Sequence, residues 1–438
     1  MQELDIVLTW RQRTKVNLKE ILKAKDTREV VAFFTSQFVG FLVFMSLRQI
    51  FPLYLQKTTS LTEEEIVIKW AIIVAAYTFG GIITRIPSGI LIETIGRRNM
   101  VVLSYFLTIG SIVGLAFTNN TILLAALFIV LRTANNSFGL SSRSLLSDLE
   151  TKYKGFYNSM ISTSGRFGSL IGTITLGVLL DFFKPYVMLI FAGILAVIGV
   201  IVFLYVFIKG KGEDRYKKRR EVKWAGKQVR IKRKDFLNSI FVFFFLAFVI
   251  FGIMEGFSNP LFSLYGKNVI NLSDSLVGTL IGLSNLSFII VGPIIGLTIS
   301  DSKKLVNSLL VTAPILMACN FLMIFLVPSN QIVYTVFLFV RNVGHAMFFP
   351  VVMTILTSEL SKDLFAILYS VITTAFLLGI AATSYFSGIL YTINITYPWL
   401  SSLISAIVLI LLMIVYILYN KSRKTIEVKH EEDFVDFK

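Results

Sequence analysis

Long apolar stretches alternate with short polar ones along the whole chain. Twelve of these stretches are about twenty residues long, which is the length that an α-helix needs to cross a bilayer. They predict an all-α membrane protein with twelve transmembrane helices. The predicted spans are 29–55, 66–90, 99–117, 121–145, 157–180, 185–208, 236–264, 274–298, 305–327, 331–357, 364–392 and 397–420.

Composition agrees with this pattern. Hydrophobic residues make up 55% of the 438 residues and charged residues only 16%, and the mean hydropathy is +0.76. A soluble domain of this size needs less apolar material to fill its core. The first 28 residues contain seven Lys and Arg and no continuous apolar core, so they predict a cytoplasmic N-terminal segment rather than a cleaved signal peptide.

A net charge of +16 could indicate nucleic-acid binding, but the positions of the charges follow membrane topology instead. Counted on alternate sides of the spans, including Arg143 and Lys69 near span ends, 33 Lys and Arg lie on the side that includes both termini and four lie on the other side. The positive-inside rule therefore places both termini and the long central loop in the cytoplasm. We expect an integral protein of the cell membrane that contacts membrane lipids and does not bind nucleic acid.

The basic stretch 209–235 separates the first six spans from the last six. Its simplest interpretation is a solvated linker near anionic lipid headgroups, and the alternative is a site for a specific partner. A faint repeat between residues 46–55 and 254–265 suggests that the two bundles are pseudo-symmetric. The predicted organisation is a cytoplasmic segment 1–28, a six-helix bundle 29–208, a linker 209–235, a second six-helix bundle 236–420 and a cytoplasmic tail 421–438.

Between spans 2 and 3 the chain reads Gly-Ile-Leu-Ile-Glu-Thr-Ile-Gly-Arg-Arg. This motif, at this topological position, resembles the signature loop of the major facilitator superfamily of secondary transporters. The resemblance implies that the loop latches the cytoplasmic ends of the two halves together while the transporter faces outward; the simpler interpretation is a tight, positively charged turn. Glu93 and Arg97 are expected at the surface of the cytoplasmic face. The predicted gating residues are Gly89, Glu93, Gly96, Arg97, Arg98 and, from a weaker equivalent after span 8, Asp301.

Span 4 resembles the family in a second feature, an arginine followed by glycine. Here the stretch runs from Arg132 to Gly139, with Asn136 where a glycine is usual. Span 5 lacks the Gly-Pro-x-x-Gly-Gly element of many drug antiporters; its glycines around Arg166 indicate close helix packing. Arg166 and Arg85 are expected to support the packing or the latch.

Polar and charged residues within the spans are the candidate functional groups, because a charge inside a bilayer is costly. In the superfamily the spans that carry them, 1, 4, 7 and 10, line the central cavity. Helical spacing puts the candidates of each span on one face. The predicted cavity residues are Gln37, Arg48, Arg132, Asn135, Asn136, Glu255, Asn259, Arg341 and His345.

Each of these charged candidates also has a structural interpretation. Arg48 and Glu255 could form an interhelical ion pair instead of binding solute or gating the outer side. Arg132 could hydrogen-bond backbone carbonyls rather than take part in coupling. His345 could carry protons, since histidine titrates near neutral pH, or it could only fill space with hydrogen bonds.

These residues favour secondary transport of a small solute by alternating access. No nucleotide-binding loop of the type G-x-x-x-x-G-K-[ST] occurs, so the energy must come from an ion gradient, and Glu255 and His345 favour protons. Three arginines against one glutamate favour an anionic solute. The alternatives are an efflux permease for amphipathic organic compounds or drugs, and a solute receptor with a transporter fold. We expect a monomer with no enzymatic activity, no cofactor and no metal.

Overall fold

The computed structural model describes residues 27–148, 154–208, 239–298, 303–359 and 365–435. Twelve helical segments in this part of the chain are long and apolar enough to cross a membrane, which confirms the all-α membrane fold. The predicted segment before Thr27, the linker 209–235 and Asp301 lie outside the described residues. The domain boundaries remain predictions.

Most helix ends lie within a few residues of the predicted ones, and span 12 runs on well beyond residue 420. Spans 1 to 12 are formed by helices Thr27–Thr58, Glu63–Ile83 with Arg85–Ile95, Arg97–Ala116, Thr121–Asp148, Lys154–Phe182, Pro185–Ile208, Ser239–Ser258 with Phe262–Asn268, Asp274–Thr298, Lys303–Leu326, Gln331–Glu359, Phe365–Ile393 and Tyr397–Val435.

Two spans that the sequence predicts as single helices are broken. In span 2, Pro87 has no N–H for the carbonyl of Ile83, and the helix is interrupted at Thr84. In span 7, Pro260 lies in a short 3₁₀ turn, Asn259–Leu261, between two α-helices. Pro52 of span 1, in contrast, lies inside a continuous helix. The break in span 7 begins at Asn259.

Equivalent glycine contacts hold each half together. A Cβ on Gly168 of span 5 would collide with the carbonyl oxygen of Phe38 of span 1. In the second half, a Cβ on Gly252 of span 7 would collide with the carbonyl oxygen of Phe376 of span 11. Backbones this close are typical of helix packing in membranes. Spans 1 and 5 are thus matched by spans 7 and 11, as expected for pseudo-symmetric bundles.

We call spans 1–6 the N-half and spans 7–12 the C-half. The proximal end is the one at which span 1 begins, and the distal end is the opposite one. The halves meet along spans 5 and 8, where Gly177 lies against Gly278, and along spans 2 and 11, where Gly388 lies against Ala71. Polar side chains also join the halves, from span 1 to span 7 and from span 5 to span 8.

Candidate functional site

Glu255 of span 7 connects three of the predicted cavity residues. Its side chain is 1% exposed, and its Oε2 accepts a hydrogen bond from Nη2 of Arg341 in span 10. His345, one turn further along span 10, places Nε2 2.9 Å from Oε1 of the same carboxylate. Both carboxylate oxygens of Glu255 are therefore occupied by groups of the C-half.

Arg48 does not form the ion pair with Glu255 that the sequence suggested. Its Nη2 donates to Oδ1 of Asn259 at 2.9 Å, across the boundary between the halves. Nδ2 of Asn259 in turn lies 3.5 Å from Oε2 of Glu255. The break in span 7 places this amide between Arg48 and Glu255. Arg341, and not Arg48, is the arginine that pairs with the Glu255 carboxylate.

Arg132 of span 4 lies against span 2. Its Nη1 donates to the Tyr77 hydroxyl at 3.3 Å, and its guanidinium carbon lies 5.0 Å from the centre of the Tyr77 ring. Arg48 approaches the same ring at 5.5 Å. Asn136 donates to the backbone carbonyl of Gly81 at 2.8 Å, so it serves the helix packing. Tyr77 is thus shared by two arginines.

Two predicted cavity residues remain. Asn135 is half-buried on span 4, and its side chain forms a hydrogen bond with that of Tyr77. Gln37 is buried in span 1, eleven residues before Arg48, and lies at the level of Arg166 in span 5, since Ser164 donates to the carbonyl of Phe34. The structure thus brings Arg48, Asn259, Glu255, Arg341 and His345 into one network and places Arg132 beside it.

The sequence assigned Arg166 to packing or the latch and gave no sign of its partners. Nη1 of Arg166 donates to Oδ1 of Asn285 in span 8 at 3.3 Å, so it joins the two halves. Its guanidinium carbon also lies 4.4 Å from the centre of the Phe288 ring, a cation–π geometry. Arg166 lies within electrostatic range of Arg48, Arg341 and Glu255. The available signal was an arginine inside a span, which the sequence reasoning assigned to packing.

A small cavity of about 20 Å³ lies on the distal side of Arg48, enough for about one water molecule. Its walls are half polar and half apolar. They are formed by Arg48, Gln49, Trp70, Val74, Asn259, Phe262, Ser263 and Ile281.

Comparison with known proteins identifies the fold. The sequence matches the model of the Major Facilitator Superfamily over residues 33–384. The chain belongs to this superfamily. A search of curated proteins gives no significant match.

Solved structures of POT transporters are similar to this superfamily member in fold. One is a peptide transporter POT mutant in complex with sulfate, with a TM-score of 0.70 at 15% identity. The match covers 89% of this chain and 94% of that one. Two others are POT family transporters in complex with a thioalcohol-conjugated peptide and with 5-aminolevulinic acid. Each has a TM-score of 0.69 at 13% identity, covering 90% of this chain and 96% of its own. At such identities the likeness establishes the fold alone.

Charged groups hold the distal end of this transporter closed. Asp181 of span 5 accepts hydrogen bonds from the backbone N–H groups of Asp274 at 3.2 Å and Ser275 at 2.8 Å, so a carboxylate of the N-half caps the first turn of span 8. Asp274 forms ion pairs with Lys57 of the N-half at 2.7 Å and with Lys267 of the C-half at 3.0 Å. These contacts must break before the halves separate at this end.

The second seam also has a polar contact at the distal end. The Tyr391 hydroxyl of span 11 donates to Oε1 of Glu63 in span 2 at 3.2 Å. Between spans 1 and 7, Gln56 donates to Oδ1 of Asn268 at 2.7 Å. Together with the Asp181 cap, these contacts make the distal end closed in this conformation of the transporter.

The loop that carries the superfamily motif differs from expectation in one respect. Gly96 has φ 88° and ψ 156°, a backbone conformation that favours glycine, and it separates the helix ending at Ile95 from span 3. Arg97 begins span 3 and is only 4% exposed, so the expectation of a surface position was wrong. Arg98 is half-buried. The side chain of Glu93 and the surroundings of Gly89 lie outside what the structure describes.

Proposed function

We propose that this transporter carries a small organic anion by alternating access, with the anion bound between the halves by arginines of the N-half. One observation supports this most directly. Arg48, Arg132 and Arg166 are hydrogen-bonded to Asn259, Tyr77 and Asn285, all neutral groups, and in the described part of the chain none has a carboxylate at ion-pair distance.

These neutral contacts are weaker than those an anionic solute would offer. A guanidinium binds a carboxylate through two charge-assisted hydrogen bonds, each roughly twice as strong as a neutral one. An uncompensated cation at this depth is costly, and a bound anion reduces that cost. The solute would replace the amides of Asn259 and Asn285, which now join the halves at Arg48 and Arg166.

Protons provide the driving gradient in this proposal, and Glu255 is the group that carries them. Protonation of Glu255 removes the negative charge that now pairs with Arg341 and His345. The cavity then becomes more positive by one charge, which favours the anion. Because such coupling is reciprocal, anion binding promotes protonation of Glu255. Proton and anion would therefore move together in the same direction.

The charge asymmetry of the sequence supports a cytoplasmic position for both termini in the cell membrane, and the distal end is then external. The conformation described above is closed to the outside. In the opposite state, the loop from Gly89 to Arg98 together with Asp301 would latch the cytoplasmic ends, as the superfamily resemblance implies. The proposed unit is a monomer.

An efflux permease for amphipathic organic compounds is the second candidate, and the aromatic walls favour it. Trp70 and Phe262 line the small cavity, and Phe288 lies beneath Arg166. The similar POT structures contain ligands as different as sulfate, a conjugated peptide and 5-aminolevulinic acid. Arginine-rich walls favour amphipathic anions over cationic drugs.

Flux into proteoliposomes separates these candidates. Purified transporter would be reconstituted and offered radiolabelled carboxylates, neutral amphiphiles and organic cations, with and without an inward proton gradient. We expect accumulation of carboxylates that requires the gradient, and in the Glu255→Gln variant exchange without accumulation. Accumulation of cations, or gradient-driven uptake that survives in Glu255→Gln, contradicts the proposal. Binding without any flux would indicate a receptor.

A further inference from the structure

Arg166 has the surroundings of an anion-binding group. Its hydrogen bond to Asn285 is 3.3 Å long, beyond the usual range for N–H···O bonds. Its second contact is the ring of Phe288. Asn285 itself is 2% exposed and also donates to backbone carbonyls of its own helix, so its amide is fixed by span 8 and not by Arg166. An anion could replace this weak contact without disturbing span 8.

The positive side chains in the cavity outnumber the negative ones by more than one. Glu255 is saturated by Arg341 and His345, which leaves Arg48, Arg132 and Arg166 with neutral partners. A solute with a single negative charge would leave at least two of these cations without a counter-charge. In the membrane interior an uncompensated charge has a high free-energy cost. A solute with two negative charges suits the cavity better.

These three arginines form two separate anion-binding positions. Arg48 and Arg132 lie on the same Tyr77 ring. Arg166 lies on the proximal side of them, because span 5 runs beside span 1 with Ser164 bonded to Phe34 and Thr173 bonded to Gln49. This register puts the backbone of Arg166 about ten residues, roughly 15 Å of helix rise, from that of Arg48. The guanidinium of Arg166 nevertheless lies within electrostatic range of Arg48.

We infer that the transported solute carries two anionic groups, as a short dicarboxylate does, with one bound by Arg48 and Arg132 and the other by Arg166. This inference rests on the proposed anion transport. In it, Arg166 discriminates between singly and doubly charged solutes. Arg166 is then a specificity-determining residue that touches the solute, and Asn285 occupies its place when the site is empty.

Binding to the purified transporter in detergent tests this inference. The probes are the dicarboxylates of three to six carbons and the monocarboxylates of equal length, each titrated by calorimetry at neutral pH. We expect at least one dicarboxylate to bind ten times more tightly than its matched monocarboxylate. Arg166→Gln should weaken the dicarboxylate at least tenfold more than it weakens the matched monocarboxylate. Lys184→Gln, which removes an exposed distal charge, is the control and should change neither.

A second variant tests the same site independently, in case Arg166→Gln does not fold. Asn285→Asp supplies a carboxylate beside Arg166 within the protein, so it should weaken dicarboxylate binding at least tenfold while the melting temperature of the empty transporter stays level or rises. Asn330→Asp, an exposed helix cap, adds the same charge away from the cavity and should leave binding unchanged.

The possible results separate this inference from the proposed function. If mono- and dicarboxylates bind equally in the wild type, or if Arg166→Gln and Asn285→Asp weaken both to the same degree, the inference is wrong and anion transport stands. If none of these anions binds while neutral or cationic amphiphiles do, both the inference and the proposed function are wrong.

Discussion

The arginines of the two halves have different partners. In the C-half, Arg341 is paired with Glu255, which also contacts His345. In the N-half, the partners of Arg48, Arg132 and Arg166 within the described residues are the neutral groups of Asn259, Tyr77 and Asn285. In the proposed function, a proton opens the ion pair of the C-half, and the arginines of the N-half bind the solute. The difference suggests that the C-half binds the proton and the N-half binds the anion.

Asn259 connects the two kinds of arginine. Its amide accepts from Arg48 through Oδ1 and approaches Glu255 through Nδ2, so one side chain contacts both the proposed solute-binding group and the proposed proton-binding group. A change of charge at Glu255 therefore reaches Arg48 through a single amide. This physical link makes coupling between proton and anion plausible without a long pathway.

The largest expected effect is in the C-half. Glu255→Ala leaves Arg341 buried beside His345 with no counter-charge, and removing one partner of a buried pair costs about 3–5 kcal/mol. Denaturation in detergent should show this loss. The double variant Glu255→Ala/Arg341→Leu should recover most of it, because neither charge of this pair then remains. Equal instability of the single and double variants would mean that the pair does not hold the C-half together.

A second effect concerns the motif loop, where the halves differ in sequence. The loop after span 2 has Gly96, whereas the equivalent loop after span 8 lacks the second glycine. Gly96→Ala forces a side chain into a φ of 88° and should cost about 1–3 kcal/mol of unfolding free energy. Gly110→Ala, at a helical position with open space around it, is the control and should cost nothing. Equal costs at both positions would show that the backbone conformation of Gly96 is not required.

In the N-half, an apolar substitution should spare stability but not binding. Arg132→Met keeps the aliphatic volume beside Gly81 and removes a cation whose partner is neutral. We expect the unfolding free energy to stay within about 1 kcal/mol, since Arg132 is half-buried and its removal leaves no buried charge without a partner. The affinity for an organic anion should fall about tenfold, equivalent to about 1.4 kcal/mol. A large loss of stability with unchanged affinity would identify Arg132 as structural.

The smallest expected effect is at the distal contacts between the halves. Lys57→Met removes one of the two cations at Asp274 and should favour opening at this end by about 1 kcal/mol, or about fivefold in population. A cysteine at Ser263, which lines the cavity, would report opening through its rate of maleimide labelling in a Cys319→Ser background. Lys184→Gln is the exposed control. No change in the rate with Lys57→Met would mean that these ion pairs do not close the distal end.

The spans could be predicted from the sequence because length and hydropathy alone decide whether a helix crosses a bilayer. The breaks in spans 2 and 7 could not. Pro52, Pro87 and Pro260 look alike in the sequence, yet only the latter two accompany a break. A proline leaves one backbone carbonyl of its helix without an N–H partner. Whether the helix stays continuous depends on which neighbouring groups contact that carbonyl, and this is a property of the packed structure.

The candidate site could be predicted in its residue types but not in its pairings. The cost of charge in a membrane indicates Arg48, Glu255 and Arg341 directly. Which of the two arginines reaches the carboxylate depends on the rotation of each helix about its axis, which is set by close glycine contacts elsewhere. The same rotation turns Arg166 toward Asn285, a contact that periodicity within span 5 does not reveal.

The central claim is that an anion on the N-half and a proton on Glu255 bind together. Calorimetry of dicarboxylate binding in buffers of different ionisation enthalpy measures it directly, because it counts the protons taken up with each anion. The account predicts that the wild type takes up protons on binding, and that Glu255→Gln binds the anion at least as tightly with no proton uptake. Anion binding without proton uptake in the wild type, or the same uptake in Glu255→Gln, would contradict the account.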